Sequence, residues 1–123
     1  MAQTVETLIR ENMHGVFGEH DAQKRRAKIA SLWAEDGVFV DHDARYEGRS
    51  EIERAAAGLI AKFPTFSFTE LTDVQAFNGV GRLPWGYGPA GAEAVITGVD
   101  VLAMKGDKIG AVYVFLDSPK KEV

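Results

Sequence analysis

The sequence predicts an α+β fold, and three observations predict it. Helical periodicity is confined to the first half of the chain, period-two alternation takes over from Phe66, and tight-turn pairs stand at Asn78-Gly79 and Gly106-Asp107. Three helices followed by a long antiparallel meander segregate helix from strand, which is the α+β pattern and not that of a parallel βα sheet. The chain has 123 residues, 46% of them hydrophobic and 26% charged. That is enough apolar content for one core, so residues 1–123 are expected to form a single domain.

In chain order, the first helix is expected over residues 4–18, with Thr4 as N-cap and Val5, Leu8, Ile9, Met13, Val16 and Phe17 along one apolar face. Asp21 caps a second helix that runs from Ala22 into Trp33, with Ile29, Leu32 and Trp33 inward and its lysines and arginines outward. Glu35-Asp36-Gly37 turns the chain, and Val38-Phe39-Val40 forms a short strand that stops at Asp41-His42-Asp43. After an extended piece at Arg45–Arg49, Ser50 and Glu53 match a capping box for a third helix that Pro64 ends. Phe66–Thr69 alternates, a strand continues from Asp73 to Phe77, and the Asn78-Gly79 hairpin leads into Arg82–Tyr87, where Pro84 argues for a bulge or an edge. Residues 92–105 and 108–117 read as the last two strands, and Lys120–Val123 as a frayed tail.

Charge and composition exclude several functions. The formal net charge is −4, the opposite of what a phosphate-binding surface requires, so no nucleic acid partner is expected. The basic run Lys24–Lys28 reads as the wet face of its helix. With no cysteine in the chain, disulfides, thiolate zinc sites and cysteine nucleophiles are excluded. No stretch is long and apolar enough to span a bilayer, and the first residues lack the basic and apolar segments of a signal peptide, so no membrane partner and a cytoplasmic location are expected. The glycines of Gly79-Val80-Gly81 and Gly86-Tyr87-Gly88 punctuate strands and do not open helices, which argues against a nucleotide cofactor.

Two aspartates stand out. Asp100 lies inside the apolar run Val95–Leu102; facing inward it would be desolvated and its pKa raised, and facing outward it would be an ordinary surface group. Both faces of that strand are apolar, so alternation does not assign the inside. Asp41 ends an apolar strand and is either a turn cap or a group aimed into a pocket. Asp41-His42-Asp43 also suggests a metal, but the chain has only three histidines and no ligand spacing, so no metal is expected. Trp85 and Tyr87 share one strand face, and Tyr113 and Phe115 share another.

The order of elements, with Trp33-Ala34-Glu35-Asp36-Gly37-Val38-Phe39, Gly48-Arg49-Ser50-Glu51-Ile52, Gly98-Val99-Asp100-Val101 and Gly106-Asp107-Lys108-Ile109, resembles the nuclear transport factor 2-like superfamily, also called the SnoaL-like cone fold. The resemblance runs from about Val5 to Asp117. It implies a strongly curved antiparallel or mixed sheet wrapped over the helices as a cone-shaped barrel, an apolar pocket, and a homodimer. In ketosteroid isomerase, a member of that superfamily, one aspartate is the base while a tyrosine and a protonated aspartic acid hold the oxyanion. By that similarity Asp41 matches the base and Asp100 the hydrogen-bond donor. The chain departs from the pattern at the tyrosine: its first helix has none, the nearest residues being Met13, His14 and Phe17.

The expected function is therefore binding of a small apolar or aromatic ligand in a pocket lined by Phe17, Trp33, Trp85, Tyr87 and Tyr113. If the pocket is catalytic, cofactor-free isomerisation, cyclisation or dehydration by Asp41 and Asp100 is expected. The alternative is a dimeric binding or interaction domain whose pocket is filled by its own side chains.

Overall fold

The computed structural model describes residues 3–117; the tail at Lys120–Val123 lies outside them. Helix α1 (Val5–Asn12) opens on Thr4, whose side chain accepts from the Thr7 amide at 3.1 Å. It continues without a break into a π-helical turn, Met13–Phe17. Helix α2 (Ala22–Leu32) is capped by Asp21, which accepts from the amides of Gln23 and Lys24. The helix stops one residue short of Trp33, which is extended and begins β1 (Trp33–Val40).

Not every arginine of the basic run faces water. Arg25 is buried, its guanidinium bidentate on Glu53 of α3 at 2.9 Å for both bonds and donating to the Glu19 carbonyl at 2.7 Å. Glu53 is thus the inter-helix partner of Arg25 and not the second half of a capping box. Helix α3 (Arg49–Lys62) is capped two residues before Ser50, by Gly48 at φ 89°, a backbone conformation that penalises any residue with a Cβ. Glu51 supplies the reciprocal contact, accepting from the Glu47 amide at 3.2 Å.

The sheet is mixed and open. Its order is β2 (Arg45–Glu47), β1, β7 (Lys108–Leu116), β6 (Ile96–Lys105), β5 (Val80–Pro89) and β3 (Phe66–Glu70), with β4 (Gln75–Phe77) also on β5. Only β1 and β7 run parallel, and β1 carries a register shift between Trp33 and Val38. Arg49 spans this irregularity by donating to the Trp33 carbonyl. Pro84 marks neither a bulge nor an edge. It sits where β5 changes partner from β4 to β3, while the β5–β6 register runs unbroken past it. Its carbonyl accepts from the Leu71 amide on that side, so its missing N–H falls in the gap between the two partner strands.

The core lies between the inner sheet face and the helices: Leu8, Ile9, Val16, Ile29, Leu32, Trp33, Ile52, Leu83, Leu102, Ile109 and Val112 are all at most 2% exposed. Among the described residues no helix is long and apolar enough to cross a membrane.

Candidate functional site

Directly opposed residues on neighbouring strands point to the same face, so the strand register determines what faces the helices. Asp100 opposes Leu83 of β5 and Val114 of β7; Trp85 opposes Gly98, and Tyr87 opposes both Ile96 and Phe68. Leu83 is fully buried in the core, so this whole set faces inward and Asp100 with it. Tyr113 opposes Val101 and Val40 and therefore lies on the outer face, 40% exposed.

The inner face of the sheet and helix α3 border a cavity of about 650 Å³, whose lining includes both Asp41 and Asp100. The π-helical turn contributes Met13 and Phe17, and Phe17 stacks on Phe39 of β1 at 4.6 Å between centroids. A denser aromatic wall stands opposite. Phe68 stacks on Tyr87 at 4.2 Å, meets Trp85 edge-on at 5.4 Å, and Phe63 meets Tyr87 edge-on at 5.9 Å. Such edge and offset contacts fix each ring relative to the next, so the wall is preformed.

Asp100 is the deep polar group of this cavity. It is 8% exposed, and its Oδ1 accepts from the indole N–H of Trp85 at 2.8 Å. Burial pushes its carboxyl up to about 7, against the smaller opposing pull of the Trp85 hydrogen bond on the charged form. With Oδ1 engaged as acceptor, the acid proton belongs on Oδ2. The contact depends on Gly98. A Cβ there would lie 2.6 Å from the Phe115 carbonyl oxygen and 2.8 Å from Cζ2 of Trp85, so the indole lies across β6 at Gly98 and reaches Asp100 two residues on. Burial also raises the Tyr87 phenol.

Asp41 stands at the cavity mouth. Its Oδ1 accepts from the amides of Asp43 and Ala44 at 2.9 and 3.0 Å, closing a turn that carries His42 and Asp43 to the same rim. Asp41 is thus a turn cap that also borders the cavity. Because β1 and β7 pair Val40 with Tyr113, Asp41 follows next to Val114, and Val114 opposes Asp100. Asp41 thus leaves the sheet one residue beyond the paired end of β1, with β7 between β1 and the β6 of Asp100. His42 and Asp43 pair at 3.3 Å in solvent.

Of the five expected ligand-contacting residues, Phe17, Trp85 and Tyr87 line the cavity. Trp33 and Tyr113 do not. Trp33 is fully buried below it, donating to Asn12 Oδ1 at 2.8 Å, and the register turns Tyr113 outward. Sequence reasoning passed over Phe39, Tyr46, Phe63 and Phe68, and the two cations Arg54 and Lys62 of α3, all in the lining. Phe66 and Phe68, two residues apart like Trp85 and Tyr87, carried a usable signal, since aromatics at period two on a strand share one face.

Comparison with known proteins agrees with this fold. The model of the SnoaL-like domain family matches residues 10–112. A candidate isomerase of the SnoaL-like family from Agrobacterium tumefaciens strain C58 superposes with a TM-score of 0.85 at 25% identity, covering 91% of this chain and 96% of that one. A candidate SnoaL-like polyketide cyclase from Jannaschia sp. CCS1 superposes at 0.74 with 15% identity, over 92% and 84% of the two chains. A candidate ketosteroid isomerase from Kribbella flavida gives 0.71 at 17% identity, over 96% and 81%; at such identities the last two show the shared fold alone. No curated protein matches the chain. With a family model spanning most of its length, the chain belongs to the SnoaL-like domain family.

Proposed function

We propose that the cavity binds a small apolar or aromatic carbonyl compound and relocates a proton on it without a cofactor. The observation that carries this reading is Asp100: a carboxyl buried at the floor of an apolar cavity, with one oxygen held by Trp85 and the other left to carry a proton. A protonated carboxyl in such a place donates a hydrogen bond to a carbonyl oxygen and strengthens that bond as negative charge develops there. Asp41, whose Oδ1 is tied to the turn, has Oδ2 to accept the proton released from the carbon beside the carbonyl. Returning that proton from Asp41 to another carbon completes an isomerisation; attack of the stabilised carbanion on a second carbonyl, with the Asp41 proton passing to the new alkoxide, completes a cyclisation. The isomerase and polyketide cyclase descriptions of the related structures agree with this class. A volume of about 650 Å³ lies in the range of small-molecule sites and speaks against an interior filled by its own side chains.

The test is deuterium exchange. Bicyclic aromatic ketones incubated with the protein in D2O should exchange the hydrogen beside the carbonyl faster than in buffer, followed by proton NMR. A panel that neither binds nor exchanges would sink the proposal.

The same reading includes a homodimer. The outer sheet face presents Val40, Val99, Val101, Tyr113 and Phe115, the last 59% exposed, and an apolar patch of that kind marks an interaction surface. Sedimentation velocity should give twice the 13.4 kDa chain mass; a monomer at micromolar concentration would contradict it.

A further inference from the structure

The rim of the cavity is electrically asymmetric, and the asymmetry points to a class of ligand. On the α3 side, Arg54, Gly58 and Lys62 follow at i, i+4 and i+8 and all line the cavity. The two cations are about 12 Å apart along the helix axis, at 1.5 Å per residue. Each lies over an aromatic ring of the lining: the Arg54 guanidinium 5.5 Å from the centre of Tyr46, the Lys62 ammonium 5.6 Å from the centre of Phe63. Arg54 has a long contact with Glu51 at 3.7 Å, and Lys62 has no acidic partner among the described residues.

Gly58 lies between them in the helix interior, where glycine is the poorest choice short of proline. Nothing lies within 4 Å of where its Cβ would be, so no packing contact requires it. What glycine provides there is an opening at the rim, bracketed by two cations. The opposite rim carries the carboxylates of Asp41, whose Oδ1 accepts from turn amides, and of Asp43, beside His42. That edge repels an anion and the α3 edge attracts it, which fixes one orientation.

We propose that the ligand is an amphipathic carboxylate, its ring body in the aromatic cavity and its carboxylate at the Gly58 opening between Arg54 and Lys62. Neither cation is a catalytic residue here; both set specificity. The proposal rests on the reading of the cavity as a site for an apolar body, and the test separates the two. The probes are 2-naphthaleneacetate and its neutral counterpart 2-naphthaleneethanol, titrated by calorimetry into the wild-type chain, the Arg54→Gln/Lys62→Gln variant and Gly58→Leu.

The double variant should weaken the acetate roughly three- to tenfold, in keeping with two solvent-exposed charge contacts, and leave the alcohol unchanged. Raising the salt should weaken the acetate alone. Gly58→Leu should weaken both probes with the thermal midpoint unchanged or higher, since leucine favours helix. If the alcohol binds and the double variant binds the acetate as wild type does, the carboxylate proposal is wrong and the cavity reading stands. If neither probe binds the wild-type chain, both fall.

Discussion

Asp100→Asn should raise the unfolding midpoint at pH 8 by roughly 10 °C while slowing catalysed exchange at least a hundredfold. The two effects have one cause. In the native chain the Asp100 carboxyl keeps its proton up to about pH 7, whereas its ordinary value is 3.8. Between those values the folded state binds the extra proton, so stability falls as pH rises from about 4 to about 7. Above pH 7 the full penalty is present, because the ionised carboxylate must stay in an apolar pocket with a single hydrogen bond. The interval corresponds to a ceiling of roughly 4 kcal/mol. Asparagine is never charged and its oxygen still accepts from Trp85, so the gain should be largest at pH 8 and vanish near pH 4. Without an acid proton it is a poorer donor to a developing oxyanion, hence the lost rate. In the wild-type chain the rate should fall above about pH 7, as the donor ionises. A variant that is less stable at pH 8, or that exchanges at the wild-type rate, would contradict this role.

Gly98→Ala should destabilise the chain by about 1–3 kcal/mol, the usual penalty of overpacking. The added methyl would meet the Phe115 carbonyl oxygen at 2.6 Å and Trp85 Cζ2 at 2.8 Å, and the first of these belongs to the backbone of the next strand. The indole is the group that can move, and moving it takes its N–H from Asp100. That hydrogen bond holds the carboxyl down, so its loss moves Asp100 further up. Trp85→Phe separates the two effects: it removes the N–H without crowding Gly98 and should raise Asp100 with a different stability change. Thermal unfolding and carboxyl titration of both variants check this. Gly98→Ala with an unchanged midpoint and unchanged titration would mean that the close approach has no consequence.

Much of the fold was legible because its local signals are strong. Thr4 and Asp21 cap their helices as their side chains suggest, and Asn78-Gly79 turns a tight hairpin. The misread signals were those that a tertiary partner overrides. Glu53 has the spacing of a capping box but is taken by buried Arg25, and Gly48 serves as the cap. Pro84 reads as a bulge or an edge, yet its missing donor falls in a gap between two partner strands.

The site was legible in its residue types but not in its facing. Both sides of β6 are apolar, one because it lines a cavity and core, the other because it belongs to the exposed outer sheet face, so alternation around Asp100 carried no direction. Register supplied it, through Leu83 and Val114. Trp33 was expected in the pocket lining, but as the first residue of β1 it is fully buried in the core, tied to Asn12. Tyr113, like Asp100 an odd residue in a doubly apolar strand, fell on the other side.

The most direct measurement is the titration of Asp100 by carboxyl carbon NMR, assigned with Asp100→Asn. A midpoint near 7, moving upward in Trp85→Phe, is the predicted result and means a protonated donor held at the cavity floor by the indole. A midpoint near the ordinary 3.8, unmoved by Trp85→Phe, would mean a solvated carboxylate and would contradict the proton-transfer function.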